Sequence, residues 1–262
     1  LGSISSSLMS EYEANKSSRK DWEEAYANGL ELLGFNYEER TQPFRGATGV
    51  THPLLAEAAT QFQAQAFNEL LPPMGPVRTT ILGSPTRDKE EQAKRVREFM
   101  NYYITTVMEE YTPEFDQMLF YLPLAGSTFK KVYYDEGMDR AVSKFVPAEH
   151  LIVPYEANDL ETCPNITQVV RMSLNDLRKK QIAGFYRDIS VIPAQSSTDS
   201  VTDEINYIDG VQPSNIDYDC TVLECHVDLD LKGYEEKDDK GEPTGIKVPY
   251  VVSISEDNGQ IL

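Results

Sequence analysis

Cys220, Cys225 and His226 lie within seven residues of one another and are residue types that bind zinc. The apolar pattern around them predicts a strand from Asp219 to Leu231, and positions five apart on a strand project from opposite faces. No second Cys/His pair completes a four-ligand set, so buried thiols are expected here rather than a metal centre. Asp228, Asp230 and Gly233 resemble the opening of a calcium loop. Lys232, however, places an ammonium where a ligand oxygen belongs, Asp239 stands where a Glu is needed, and a strand leads into the segment.

Other chemistry is equally sparse. His52, His150 and His226 fall in three separate segments, and the His52 ring is positioned to cap a helix that begins at Pro53. The chain has no Gly-rich phosphate loop ending in Lys and Ser/Thr, no helix with two His flanking a Glu, and no nucleophile elbow. Glu109-Glu110 and Asp238-Asp239 sit in charged runs and read as solvated. Tyr102-Tyr103, Tyr111, Tyr121 and Tyr133-Tyr134 invite a base-stacking reading, but stacking platforms are coupled to a positive groove. In a chain of net charge −19, core and interface packing is the better expectation for these rings. Asn165-Ile166-Thr167 matches a glycosylation acceptor, read here as coincidence. The residues therefore predict no catalytic group, no cofactor and no metal: not an enzyme.

The elements that would carry these residues change period along the chain. Residues 11–33 predict a polar helix, with Trp22, Tyr26, Leu30 and Leu33 near helical spacing and Gly34 as its stop. Residues 35–52 read as an irregular loop. Pro53 to Leu71 predicts a helix with Leu54, Leu55, Ala58, Ala59, Phe62 and Ala66 on its core face, ended by Pro72-Pro73. Val77 to Leu82 reads as a short strand. Ser84 before Pro85 starts a helix whose core stripe is Ala93, Val96, Met100, Tyr103 and Val107, running to about residue 110. Thr112-Pro113-Glu114 starts the next, with Phe115, Met118, Leu119 and Leu122 inward.

From Gly126 the period becomes two. Ser127–Tyr134 and Arg140–Val146 predict a hairpin, and Leu151–Val153 and Thr167–Met172 predict further strands. Ser173 with Asp176 is a capping box for a short helix ending at Gly184. Residues 190–216 read as a long Ser/Asp/Pro-rich loop, and Asp219–Leu231 and Ile246–Ser255 as strands joined by a charged excursion from Lys232 to Gly245. Ser196 to Asn215 and Lys232 to Gly245 are the segments expected to be mobile. The predicted class is α+β: amphipathic helices over 1–125, then a mainly antiparallel β region over 126–262.

Charge and ends bound the class further. Residues 151–262 carry 21 acids and 9 bases, so most of the negative field lies there and would repel a DNA backbone rather than grip it. The apolar runs fall far short of the roughly 20 residues that cross a bilayer, and no membrane partner is expected. Three cysteines suit a reducing compartment. The chain opens at Leu1 without Met and stops at Ile261-Leu262 straight after the turn Asp257-Asn258-Gly259. A hairpin that has just turned should continue, so the sequence is expected to be part of a longer chain.

Three blocks carry a resemblance. Pro43-Phe44-Arg45-Gly46-Ala47-Thr48-Gly49-Val50-Thr51-His52-Pro53-Leu54-Leu55 leads into the Ala/Gln/Phe helix and Leu70-Leu71-Pro72. Leu124-Ala125-Gly126-Ser127-Thr128-Phe129-Lys130-Lys131-Val132-Tyr133-Tyr134-Asp135 follows, and then Val146-Pro147-Ala148-Glu149-His150-Leu151-Ile152-Val153-Pro154. In this order, over about residues 20–262, the chain resembles the N-terminal wing portion of the portal (head-to-tail connector) protein of tailed bacteriophages. No block matches a channel-lining stem helix or a clip, so no DNA-contacting or motor-docking residue is transferred.

The resemblance implies a structural subunit of a closed ring of about twelve copies at one capsid vertex. Such a ring is the conduit for double-stranded DNA during packaging and ejection and the attachment point for the tail. Its implied partners are its own copies, the major capsid protein, the terminase packaging motor, tail adaptor proteins, and DNA that passes without sequence-specific binding. The implied location is the virion, after assembly in the host cytoplasm. The alternatives are another virion connector or capsid-associated structural protein, or an enzyme fragment whose catalytic half lies beyond Leu262. Phe44, Arg45, Val50 and His52 are the candidate subunit-interface residues, because Phe35 to His52 lies between two amphipathic helices with no periodic face to bury them. The segment is either an ordinary interhelix loop or an arm packed on the adjacent subunit.

Overall fold

A computed structural model describes residues 2–33, 44–47, 52–135, 137–191, 200–208, 219–238, 240 and 242–262. The chain is α+β, with helices first and strands after. In order, the described elements are α1 (Gly2–Ser18), α2 (Lys20–Glu31), α3 (Leu54–Leu70), α4 (Arg87–Tyr102), α5 (Tyr111–Ala125), β1 (Phe129–Asp135), β2 (Arg140–Val146), β3 (Leu151–Ile152), β4 (Asn165–Ser173), α6 (Leu174–Ile182), α7 (Ser200–Ile208), β5 (Asp219–Leu229) and β6 (Val248–Ser255). The chain divides into two compact units. One unit joins Leu1–Asn28 to Glu149–Leu262, and the other is Gly29–Ala148.

The first unit is built on an antiparallel sheet of order β3-β4-β5-β6. Its central strand β5 is covered on both faces, which explains why Cys220, Val222, Leu223 and Cys225 are all buried. One face, with Ile152, Leu223, Cys225 and Ile254, packs against Leu8 and Tyr12 of α1. The other, with Cys220 and Val222, packs against Leu177 of α6, Tyr186 and Leu262. Side-chain alternation along a strand decides this division, as the sequence parity of the two cysteines predicts.

α1 corrects the predicted start of the first helix at residue 11. Ile4, Leu8 and Tyr12 recur every four residues through the Ser-rich opening, and this is the stripe that meets the sheet. Ser5 is buried and donates to the Gly259 carbonyl, while the Tyr12 hydroxyl donates to Glu256 Oε1 at 2.9 Å. The helix breaks at Arg19, whose guanidinium turns to the sheet edge and donates to the Glu149 and Leu151 carbonyls at 2.7 and 3.1 Å. The turn at 257–259 is followed by a paired return, with Leu262 N–H donating to Ser253 O.

The predicted loop over 190–216 contains α7. Val201, Ile205 and Ile208 hold helical spacing inside a polar stretch, and Val201 is completely buried. The rest of that loop, 192–199 and 209–218, lies outside the described residues. In the Lys232–Gly245 excursion, Asp238 Oδ1 accepts from Lys240 and Glu242 N–H, and Lys237 bridges to Pro243. Ser173 caps the helix as predicted, its Oγ accepting from Asp176 N–H at 3.1 Å, while the Asp176 carboxylate accepts from the Ser173 hydroxyl at 2.9 Å rather than from its backbone N–H.

The second unit holds α3, α4, α5 and the β1–β2 hairpin. The hairpin and α3 follow the predicted boundaries closely. Three local features differ. The α4 N-cap is Thr86, whose hydroxyl accepts from Lys89 N–H, rather than Ser84 on the far side of Pro85. The helix also stops at Tyr102 and loosens into a π-turn over Tyr103–Val107, closed by Met108 N–H on the Tyr103 carbonyl. Val77 to Leu82 is no strand, because Asn101 takes the place of a neighbouring strand. Its Oδ1 accepts from Val77 N–H at 2.8 Å, and its Nδ2 donates to Val77 O at 3.2 Å. Gly75 has φ +92, and a Cβ there would fall 2.4 Å from the Asn101 side chain.

Candidate functional site

Within the Gly29–Ala148 unit, α5 and the turn before it seal one edge of the hairpin. The β1–β2 register pairs Phe129 with Val146 and Asp135 with Arg140, so Ala141, Ser143 and Phe145 direct their N–H groups away from β1. Each meets a side chain. Ala141 N–H donates to the Tyr103 hydroxyl at 2.9 Å, Ser143 N–H to Glu110 Oε1 at 3.2 Å, and Phe145 N–H to Glu114 Oε2 at 2.8 Å. Glu110 and Glu114 are four apart, one helical turn, and alternate strand residues are separated by a similar distance, so one helix serves two rungs.

The same two carboxylates hold the cations of β2. Arg140 lies 2.8–2.9 Å from the Glu110 oxygens and Lys144 2.9 Å from Glu114. Burial pushes the Glu110 carboxyl up, but the hydrogen bonds it accepts and the Arg140 charge outweigh this and hold it below the ordinary carboxylate value. The hydrogen bond to Glu114 raises the Lys144 ammonium. Glu110, read from sequence as part of a solvated charge run, is therefore an almost buried structural acid. The signal was available: acids at i and i+4 beside a predicted helix start, and cations four apart on the following strand.

Lys130 of β1 is the unusual group. Among the described residues its buried Nζ meets no hydrogen-bond acceptor, and it lies 3.6 Å from the Tyr111 ring centroid and 4.7 Å from that of Phe115. Those rings stack at 5.9 Å on successive turns of α5. Desolvation lowers the Lys130 pKa, partly offset by the charges of Glu114 and Glu110. Tyr111 and Tyr121 are thus packing residues, Tyr121 stacking on Phe145, in line with the core-packing expectation.

Much of this unit's apolar surface is uncovered. α4 buries no residue; Val96 and Met100 of its predicted core stripe are exposed, and so is Phe99. On α3 the predicted core face divides. Ala59 is buried beside α5, where Gln63 donates to Asp116, while Leu54 and Phe62 face outward. Met74 and Leu82 are about nine-tenths exposed. The correction to the predicted core is physical: these stripes are amphipathic, but among the described residues of this unit nothing covers them.

Of the candidate interface residues, Phe44 and Arg45 lie exposed in a turn closed by Ala47 N–H on the Phe44 carbonyl. Val50 lies outside the described residues. His52 is exposed, and its backbone carbonyl, not its ring, meets the helix start by accepting from Leu54 N–H at 2.8 Å.

The remaining sequence candidates are dispersed. Cys220 and Cys225 sit in separate core clusters, and exposed His226 contacts Glu224 at 2.8 Å. Asp228 and Asp230 are exposed, and Asp239 lies outside the described residues. Among the described residues no three His, Cys, Asp or Glu side chains converge as metal ligands. Asn165 is buried and donates to Glu11 at 2.6 Å, which ties α1 to β4 and withholds the amide from glycosylation in this fold. Among the described residues no helix is long and apolar enough to cross a membrane. No protein-family model matches the chain, and no curated protein matches it.

Proposed function

We propose that the chain is a structural subunit of a tailed-bacteriophage portal ring, contributing its wing to the conduit for double-stranded DNA. The observation that carries this reading is the apolar stripe of α4, uncovered in a chain of charge −19. A protein this acidic has no solubility need for exposed Phe99, Val96 and Met100, whereas an obligate assembly needs apolar area to overcome repulsion between its copies. Obligate interfaces commonly bury more than about 2,000 Å². The acidic remainder suits a passage for DNA, because bound Lys or Arg on phosphate would resist sliding through counterion exchange. The motifs in Pro43–Leu55, Leu124–Asp135 and Val146–Pro154 supply the family likeness.

The test is native mass spectrometry and electron microscopy of the purified protein at high concentration, in low salt and in 1 M salt, where the Debye length falls to about 3 Å. The expected result is a ring with a central channel wide enough for a duplex, favoured by salt. A monomer under all these conditions overturns the reading.

A further inference from the structure

Among the described residues, outward backbone groups on three strand edges meet identifiable partners. Tyr103, Glu110 and Glu114 take the outward N–H groups of β2. The Arg19 guanidinium takes the outward carbonyls at β3. On β6, Pro249 has no N–H to offer and the returning 260–262 segment pairs with Ser253 and Ser255, leaving Val251 alone between them. The fourth edge is β1. The register that turns Ala141, Ser143 and Phe145 outward on β2 turns Lys130 and Val132 outward on β1. Among the described residues nothing hydrogen-bonds their backbone N–H and C=O groups. Val132 is two-thirds exposed.

Open strand edges are templates for another strand, and proteins ordinarily block them with charge, proline or a covering element. Among the described residues, side chains or returning backbone meet outward groups of β2, β3 and β6, whereas none meets those of Lys130 and exposed Val132 on β1. The geometry points to β1 as a strand-addition site that receives an extended acidic segment of a second copy of this chain. Backbone pairing supplies the affinity in this mode, and side chains the selection. The choice of a second copy rests on the ring reading above and on charge. The edge carries Lys131, while Lys130 turns its ammonium into the rings of α5. The chain as a whole is −19, and its residues 151–262 carry 21 acids against 9 bases. A second β2 is excluded as the added strand, because its edge is already sealed.

The experiment is sedimentation velocity over a concentration series at fixed ionic strength, with amide hydrogen exchange on the same samples. Val132→Pro removes the outward donor without touching a β1–β2 ladder bond, and Val132→Thr keeps it. Lys131→Glu reverses the charge, and Lys131→Arg preserves it. Self-association is expected to weaken at least tenfold in Val132→Pro and Lys131→Glu and to stay within about threefold in Val132→Thr and Lys131→Arg. The Lys130 and Val132 amides should gain protection as wild-type concentration rises. This readout does not depend on whether Val132→Pro folds.

Association unchanged in a folded Val132→Pro, or Lys130 and Val132 amides exchanging freely in the associated wild type, overturns the strand-addition site and leaves the ring reading standing. Association through the edge that stops at a closed dimer supports the site and overturns the ring. A chain monomeric at every concentration overturns both.

Discussion

The Glu110 carboxylate accepts from the Ser143 backbone N–H at 3.2 Å while holding Arg140 at 2.8 Å. One acid from the turn before α5 thus satisfies the outer edge of β2 and the cation that β2 carries at its first residue. Glu114, one helical turn on, repeats the arrangement with Phe145 N–H and Lys144. The hairpin is tied to its helix through β2, and among the described residues nothing hydrogen-bonds the outward backbone groups of Lys130 and Val132 on β1.

Removing Arg140 leaves Glu110 almost buried with its main counter-charge gone. Arg140→Ala should destabilise the Gly29–Ala148 unit by about 2 kcal/mol, below the usual cost of breaking a fully buried pair because the guanidinium is one-fifth exposed. Urea titration followed by circular dichroism measures it. The Glu110 carboxyl is held below its ordinary value, so its contribution is complete above that value and is lost as pH falls through the folded one. The wild type should lose stability between about pH 5 and pH 3 more steeply than Arg140→Ala. Parallel curves would refute the pair.

Lys130 carries the opposite sign. Its folded pKa is lowered from 10.5 by desolvation, so the native state gives up its proton before the unfolded state does. Stability attributable to this residue should rise as pH climbs through the folded value toward 10.5 and be constant below it. Lys130→Met, similar in length and apolar, should abolish that rise and raise neutral-pH stability by about 1 kcal/mol. A loss of more than 1 kcal/mol would show that the Tyr111 and Phe115 rings more than offset the burial of the charge.

Docking of α1 is a matter of Leu8 and Tyr12 against β5. Leu8→Ala should cost about 2–4 kcal/mol, the range for truncating a buried leucine, whereas the exposed Ser6→Ala should change stability by less than about 0.5 kcal/mol. Equal effects in a thermal melt would remove α1 from the core.

The thiols should divide by burial. Cys220 and Cys225 are fully buried, and burial pushes the Cys225 thiol up, while Cys163 is only half-buried. A thiol-reactive chromophore should label Cys163 first and reach the other two only on unfolding. Rapid labelling of three thiols in the native protein would contradict the two-sided cover of β5.

What the sequence determined by itself was local. The hairpin, α3, β4, β5, β6 and the Ser173 cap were legible because period, turn residues and capping chemistry act over a few residues. The parity of Cys220 and Cys225 followed from strand alternation alone. Their cover on both faces did not, because α1 reaches the sheet across more than 200 residues of sequence. Burial departs from expectation where an amphipathic stripe, among the described residues, has no covering element. Val96 and Phe99 have helical spacing, but spacing states only which residues share a face, never whether anything lies opposite. Glu110 reads as solvated because its charge is visible in sequence, while the two donors that hold it, Arg140 and Ser143 N–H, come from a strand 30 residues on. Which strand edges are closed was likewise settled in space, since each closure joins a side chain to backbone groups whose direction depends on register.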